Sequence, residues 1–241
     1  MKIALCFAGQ PRDVIGTYDN IVKYLIAPNN IEDVFVHVWW RPEFETQGFP
    51  INTDQSGRKV YMPKSILKFI EDNYNPKMML IEDDKQIQFH PQHLINDNIT
   101  PAASLDRLLP LFYSRYAVNC LKDEYKNGNN LSQYDAIVKI RFDNFIKREI
   151  RISELDLNKI SVATLWNRNI IDVRFVSDQI AISNENNMNN YSLIYHNMIE
   201  ISKRVESFFA ERIIGEHLIM NKIQFDEPWQ YPRDMVMYRD R

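Results

Sequence analysis

The first 81 residues alternate between short apolar runs and segments with helical spacing, and this order restricts the fold more than any other feature of the chain. Lys2 to Phe7 is a compact apolar run that ends at Ala8-Gly9-Gln10-Pro11. Tyr18, Ile21, Val22, Leu25 and Ile26 then fall on one helical face, and Pro28-Asn29-Asn30 stops that helix. Val34 to Trp40 is β-branched and aromatic and reads as a buried strand. Ser65 can cap a second helix bearing Ile66, Leu67, Phe69 and Ile70. Met78 to Ile81 is a third short strand. Strands joined through helices pair parallel, and right-handed crossovers set their C-termini along one edge. The expectation is an α/β fold: a mixed, mainly parallel sheet flanked by helices, with the first strand near its centre.

Further along, Leu108, Leu109, Phe112, Tyr113, Tyr116, Ala117, Cys120 and Leu121 predict a strong helix. Pro110 begins or kinks it, and Gly128-Asn129-Asn130 ends it. Tyr134 to Asp143 has a strand core and a charged end. Ile160 to Ala163 and Asp178 to Ile182 read as strands. Apolar spacing predicts helices from about Met188 to Phe209 and from about Glu211 to Asn221. The tail from Glu227 to Arg241 has no clear period. Two long polar connections, about Arg41 to Pro63 and about Glu82 to Ser104, are of a length that is usually functional or disordered. The first contains Gly48, Gly57, Arg58 and Lys59 and is either a lid over a bound ligand or a plain surface loop. No linker divides the chain, so residues 1–241 are read as a single domain.

The 29 basic and 32 acidic residues give a net charge of −3, and no basic run occurs, so the signature of nucleic-acid binding is missing. A small phosphorylated ligand needs only one or two local cations. No apolar run approaches the roughly 20 residues of a membrane span. The apolar N-terminus is broken by Gln10, Arg12 and Asp13 too early for a secretion signal. Cys6 and Cys120 sit among apolar neighbours and fit no zinc spacing. They read as two buried free thiols in a reducing cytoplasm.

Three strand ends hold the residues with chemistry. After the first strand, Ala8 and Gly9 let a ligand approach the backbone, with Gln10 beside it, and Arg12 matches phosphate oxygens. This is not a dinucleotide fingerprint, because the second and third glycines are missing. The alternative is an ordinary strand-to-helix turn. Arg141 and Asp143, at i and i+2, point to one side of an extended chain. There Asp143 can bind a divalent cation bridging two phosphates, or the two form a surface ion pair. Asp178 precedes an apolar strand and is the candidate general base, or a turn residue. Glu211, Glu216 and His217 either approach the cleft from a helix or form a solvated face. His37 lies within an apolar strand, as a core residue or at the cleft edge. His90 and His93 form no ligand pattern.

Four stretches together, Ile3 to Arg12, Asp33 to Trp40, Tyr134 to Asp143 and Ser177 to Ile182, resemble a family of small bacterial and viral glycosyltransferase-like proteins of surface-glycan, capsule or lipopolysaccharide synthesis. The resemblance implies a GT-A fold and transfer of a sugar from a nucleoside-diphosphate-sugar donor to a glycan hydroxyl. The candidates for donor binding are Ala8, Gly9, Gln10, Arg12, His37, Arg141 and Asp143, and those for Mn²⁺ or Mg²⁺ are Asp143 and His217; of these the resemblance itself implies Asp143, the family's usual metal contact. The family's usual Asp-x-Asp reads Arg141-Phe142-Asp143 here, so a cation replaces one acid and Arg141 can itself neutralise phosphate. Two other readings stay open. One is a catalytically silent nucleotide- or glycan-binding protein. The other is a sugar-phosphate nucleotidylyltransferase, against which the single Gly9 argues.

Overall fold

The structure, a computed structural model, describes residues 1–41, 43–44, 49–53, 59–62, 65–83, 102–164, 175–205, 209–230 and 233–237. β1 (Ile3–Gly9) leads through α1 (Val14–Ile21) to β2 (Asp33–Trp39). A π-helical turn, Val22–Ile26, and a last turn, Ala27–Asn29, prolong α1. Asn30 closes it in the left-handed region, with φ 50°. β3 (Phe49–Thr53) and β4 (Lys59–Met62) form a separate antiparallel hairpin. Next come α2 (Ile66–Tyr74) and β5 (Met78–Glu82), then α3 (Ala102–Gly128) and β6 (Ala136–Ile140). The chain goes on through β7 (Asn144–Ile146), β8 (Ile160–Ala163), β9 (Ile180–Ser183), α4 (Glu185–Ser192), α5 (Ile194–Val205) and α6 (Ala210–Met220). β10 (Phe225–Trp229) and β11 (Met235–Met237) finish it.

Seven strands form the main sheet in the order β10-β8-β9-β6-β1-β2-β5. β1 pairs parallel with both β2 and β6, β2 with β5, and β10 with β8. β9 alone runs against its neighbours β6 and β8. The expected mixed, mainly parallel sheet flanked by helices is present, with β1 beside the central strand.

Alternation along the strands creates two cores. Ile3, Leu5 and Phe7 of β1 join Val14, Ile21 and Leu25 of α1 and Ile66, Ile70 and Tyr74 of α2. Ala4 and Cys6 of the same strand face the opposite way, toward Leu108, Phe112 and Val118 of α3. Behind α3, Met188 and Tyr191 of α4, Ile194 and Met198 of α5 and Ile213 and Ile214 of α6 complete the second core. No helix among the described residues is long and apolar enough to cross a membrane.

Several local expectations are corrected. The long helix anticipated from about Met188 is two helices, and it begins earlier, at Glu185 behind an Asn184 side-chain cap. The break at Leu193 arises where the Asn190 carbonyl accepts from both the Leu193 amide and the His217 ring. Pro110 lies inside α3, and its carbonyl accepts from Trp39 Nε1. Ser65 precedes α2 but makes no side-chain cap. The polar stretch after Trp40 contains the β3–β4 hairpin, while Gly48, Gly57 and Arg58 of the anticipated lid lie outside the described residues. So do residues 84–101 of the second polar connection. The unperiodic tail holds β10 and β11; β10 carries Pro228 and two acids, as an edge strand can. Cys6 is buried as expected, but Cys120 is exposed.

A buried ion cluster ties α3 to the start of β6. Glu185 accepts from Lys122 Nζ at 3.1 Å, from Lys126 and from the Tyr134 amide at 2.8 Å. Lys122 and Glu185 side chains have no solvent exposure. Burial opposes the charged Glu185, yet the Lys126 and Lys122 contacts hold its carboxyl below the usual range. Removing one member of such a pair strands the other charge at a cost of about 3–5 kcal/mol. Glu185→Ala is expected at the lower end of that range, because Asn189 and Asp123 still accept from Lys122. Equilibrium urea unfolding of the variant checks this.

Candidate functional site

The chain reverses direction across the sheet at β1. α1 and α2 carry it outward through β2 and β5 over one face, and α3 then returns over the other face to place β6 on the far side of β1. In open α/β sheets such a switch point leaves a crevice beyond the strand C-termini, where ligands bind. A cavity of about 370 Å³ lies there, lined by Ala8, Gly9, Gln10, Arg12, Trp39, Pro110, Leu111, Arg141, Asp143 and Asp178. All of the expected contact residues except His37 and His217 therefore come together.

Each wall has a local cause. Gly9 adopts φ 110°, a conformation that side-chain-bearing residues rarely take, as β1 turns away. No atom lies within 4 Å of where a Cβ would sit, so backbone strain alone demands glycine there. Gln10 Oε1 accepts from Arg12 Nε at 2.7 Å and orients it. On the second face, α3 supplies Pro110 and Leu111. Asp178 arrives because β9 is antiparallel, so the start of that strand lies at the edge where β1, β2 and β6 end.

Arg141 is the hub of the polar groups. Its Nε and Nη2 donate to the two oxygens of Asp143 at 2.9 and 2.8 Å, and its Nη1 donates to Asp178 Oδ2 at 3.2 Å. Arg115 Nη2 donates to the Asp178 carbonyl at 2.7 Å and to its Oδ2 at 3.3 Å. Burial works against the ionised Asp178, but Arg141 and Arg115 more than offset it and hold the carboxyl below its usual range. Burial also opposes charge on Arg141, and Asp143 and Asp178 outweigh it, so the guanidinium stays protonated. Glu211 has the opposite character: burial first, and the Asp178 charge second, push its carboxyl above the usual range.

Beneath the cleft lies a water-sized cavity of about 20 Å³, lined by Arg115, Lys139, Arg141, Asp178, Gln179 and Tyr191, among others. Arg115 Nη1 and Gln179 Oε1 are buried there without a protein partner, the situation in which an internal water is expected. Lys139 is buried with only neutral acceptors: the Arg115 and Met188 carbonyls and the Ser192 hydroxyl.

His37 is behind the cleft rather than in it. It has no exposure; Nδ1 lies 2.6 Å from Ser114 Oγ and Nε2 lies 2.8 Å from Glu82 Oε2. Burial outweighs the Glu82 contact and lowers its pKa, which keeps the ring neutral. A carboxylate only accepts, so Nε2 carries the proton and Ser114 donates to Nδ1. The ring meets Trp39 edge-on at 4.7 Å and so positions a cleft residue. His217 also stays apart: Nε2 is 2.8 Å from the Asn190 carbonyl, between α4 and α6. Glu216 is likewise occupied, by Arg204 and Arg212.

Arg115 is the functional residue the sequence reading missed. A signal existed: Leu108, Phe112, Arg115, Asn119 and Lys122 follow one helical stripe, and the last three are buried polar residues. A polar run on an apolar stripe marks a buried network, not a solvated face.

The residues implied for a divalent cation do not fit one as they stand. Both Asp143 oxygens and Asp178 Oδ2 accept from guanidinium groups. No group of three or more His, Cys, Asp or Glu side chains suited to a cation occurs among the described residues. No family model matches the sequence, and no curated protein matches it as a relative.

Lys139 gives the site a testable pH dependence. Burial lowers its pKa from 10.5 to about 7. The folded state therefore bears the full cost of a buried ammonium below pH about 7, and that cost disappears as pH rises toward the unfolded value. Lys139→Met is expected to be more stable than the parent near neutrality, by a margin that shrinks as pH approaches about 10. Denaturant melts at several pH values check the sign.

Proposed function

We propose that this chain is a GT-A-type glycosyltransferase that moves a sugar from a nucleoside-diphosphate-sugar to a glycan hydroxyl. One observation carries the reading. The chain has a net charge of −3, yet two guanidinium groups, Arg12 and Arg141, line the crevice beyond the strand ends, with Arg115 beneath them. Guanidinium groups at a strand-edge switch point suit a diphosphate.

In this reading Arg12 and Arg141 bind the two phosphates. The bond from the sugar's anomeric carbon to phosphate oxygen breaks, and a bond from that carbon to the acceptor oxygen forms. The electron pair leaves with the nucleoside diphosphate, where preorganised guanidinium groups stabilise the developing charge. The acceptor proton passes to a carboxylate, and Asp178, which lines the cleft beside Asp143, is the candidate. Trp39, Pro110 and Leu111 supply an apolar wall that a sugar or base can pack against.

A catalytically silent binding protein is the second reading. The observation in its favour is that Asp178 is paired with two arginines, which lowers its basicity. Release of nucleoside diphosphate from a panel of nucleotide-sugars separates the two. A transferase leaks some diphosphate by hydrolysis without acceptor, and a pure binder releases none. Arg12→Ala is expected to weaken nucleoside-diphosphate binding by about 1–3 kcal/mol, the scale of a charged hydrogen bond. Unchanged affinity by calorimetry removes Arg12 from the site.

A further inference from the structure

We infer that the cleft binds a diphosphate without a divalent cation, because the Arg141 guanidinium already occupies the place between Asp143 and Asp178 that a metal ion would take. The inference rests on reading the cleft as a diphosphate site, and it specifies how that site neutralises charge.

The geometry has three parts. First, Arg141 spans both carboxylates with its three nitrogens. An ion coordinated by the same oxygens would have to displace it. Second, a guanidinium has five N–H donors, and Arg141 directs three hydrogen bonds to these two acids. The remaining donors belong to a side chain that is 25% exposed and lines the cavity, so they are available to an oxyanion. Third, a divalent ion placed here would meet like charge from the Arg141 and Arg115 guanidinium groups. An anion meets attraction from the same two groups. Toward the phosphate site, both carboxylates thus orient the guanidinium, whatever further part Asp178 has in proton transfer. Asp143, only 3% exposed, grips one edge of the guanidinium and Asp178 a further nitrogen. The cation is oriented before the ligand arrives, which lowers the ordering cost of binding.

The arrangement has an unusual corollary. Among the described residues, Arg141→Ala leaves Asp143 without a guanidinium partner and Asp178 with that of Arg115. Two carboxylates then border a vacated space of guanidinium size. The variant should lose an anion site and gain a site for a hard divalent cation.

The test uses the full chain, inorganic pyrophosphate as the anion and MnCl₂ as the cation, with calorimetry and thermal unfolding as readouts. Wild type is expected to bind pyrophosphate in excess chelator, and Mn²⁺ alone is expected to leave its melting temperature unchanged. Arg141→Ala should bind pyrophosphate at least tenfold more weakly in chelator and should melt at a higher temperature with Mn²⁺ alone, by linkage. Arg141→Lys keeps a charge without the bidentate fork and provides a second variant should the alanine form fail to fold; its pyrophosphate affinity should fall while Mn²⁺ still has no effect. Pyrophosphate binding by wild type that requires Mn²⁺, stabilisation of wild type by Mn²⁺ alone, or no pyrophosphate binding in either condition overturns the inference. Mn²⁺-dependent release of nucleoside diphosphate from a nucleotide-sugar would also overturn it while supporting the transferase reading. Pyrophosphate binding in chelator with no turnover of any nucleotide-sugar would support the inference and count against the transferase.

Discussion

The packing of α3 across the second face of the sheet is the contact on which the cleft depends. The outer core through Ile3, Leu5 and Phe7 would form from the strand-helix alternation alone. The inner face is different, because β2 and β6 present His37 and Lys139 there beside Cys6 of β1, and a polar side chain is not ordinarily buried without a partner. α3 supplies a partner for each. Ser114 donates to the His37 ring, the Arg115 carbonyl accepts from Lys139 Nζ, and Phe112 packs in the same core as Cys6. Its anchorage comes from both ends of the packed segment: Trp39 donates to the Pro110 carbonyl, and Lys122 meets Glu185.

Charge burial explains why the inner face is arranged as a ladder. Lys139 and Arg141 are two residues apart and share that face. Lys139, deeper, has neutral acceptors only, and burial lowers its pKa. Arg141, at the rim, has two carboxylates and remains fully ionised. Cys6, paired in register with Lys139, has its thiol pushed up to about 11 by burial, so it offers Lys139 no thiolate near neutrality. Fixed charge is concentrated at the strand ends, where ligands can reach it, and weakened one step below. That gradient favours an anion entering from the edge and stopping there.

How far the sequence reveals this differs from element to element. The first half of the sheet was legible because Val34 to Trp40 and Lys2 to Phe7 carry apolar runs long enough to state their own burial. β7 and β11 were not, because each is three residues long and their pairing is a tertiary event. β10 was hidden by Asp226, Glu227 and Pro228, which an edge strand tolerates and a central strand does not. The cleft's strand-end residues could be read from position: Gly9, Arg12, Arg141 and Asp143 all follow apolar strands. Arg115 could not be placed the same way, since helical spacing gives a face but not what lies opposite. His37 is open to two readings in the sequence, core residue or cleft edge, and the structure has the first: period-two alternation turns it inward, where Ser114 of α3 and Glu82 of β5 enclose it.

The one strand of the described main sheet that runs against the others, β9, is the step that makes the site more than a generic sheet edge. Had β9 run parallel to β6, Asp178 would sit at the opposite end of the sheet, far from Arg141. Arg141 would then hold Asp143 alone, and Arg115 would point its charge into the inner cavity without a carboxylate. Reversing one strand brings a chain start to the edge where three other strands end. It also places the β6–β9 register so that the Arg141 amide donates to the Gln179 carbonyl at 3.2 Å and Asn144 Nδ2 to the same oxygen at 2.7 Å. These bonds fix the segment carrying Asp178 against the segment carrying Arg141 and Asp143. The two acids are therefore set by backbone pairing, and the guanidinium between them is oriented by both at once. The charge pattern of the cleft is thus set by the pairing of β6 with β9.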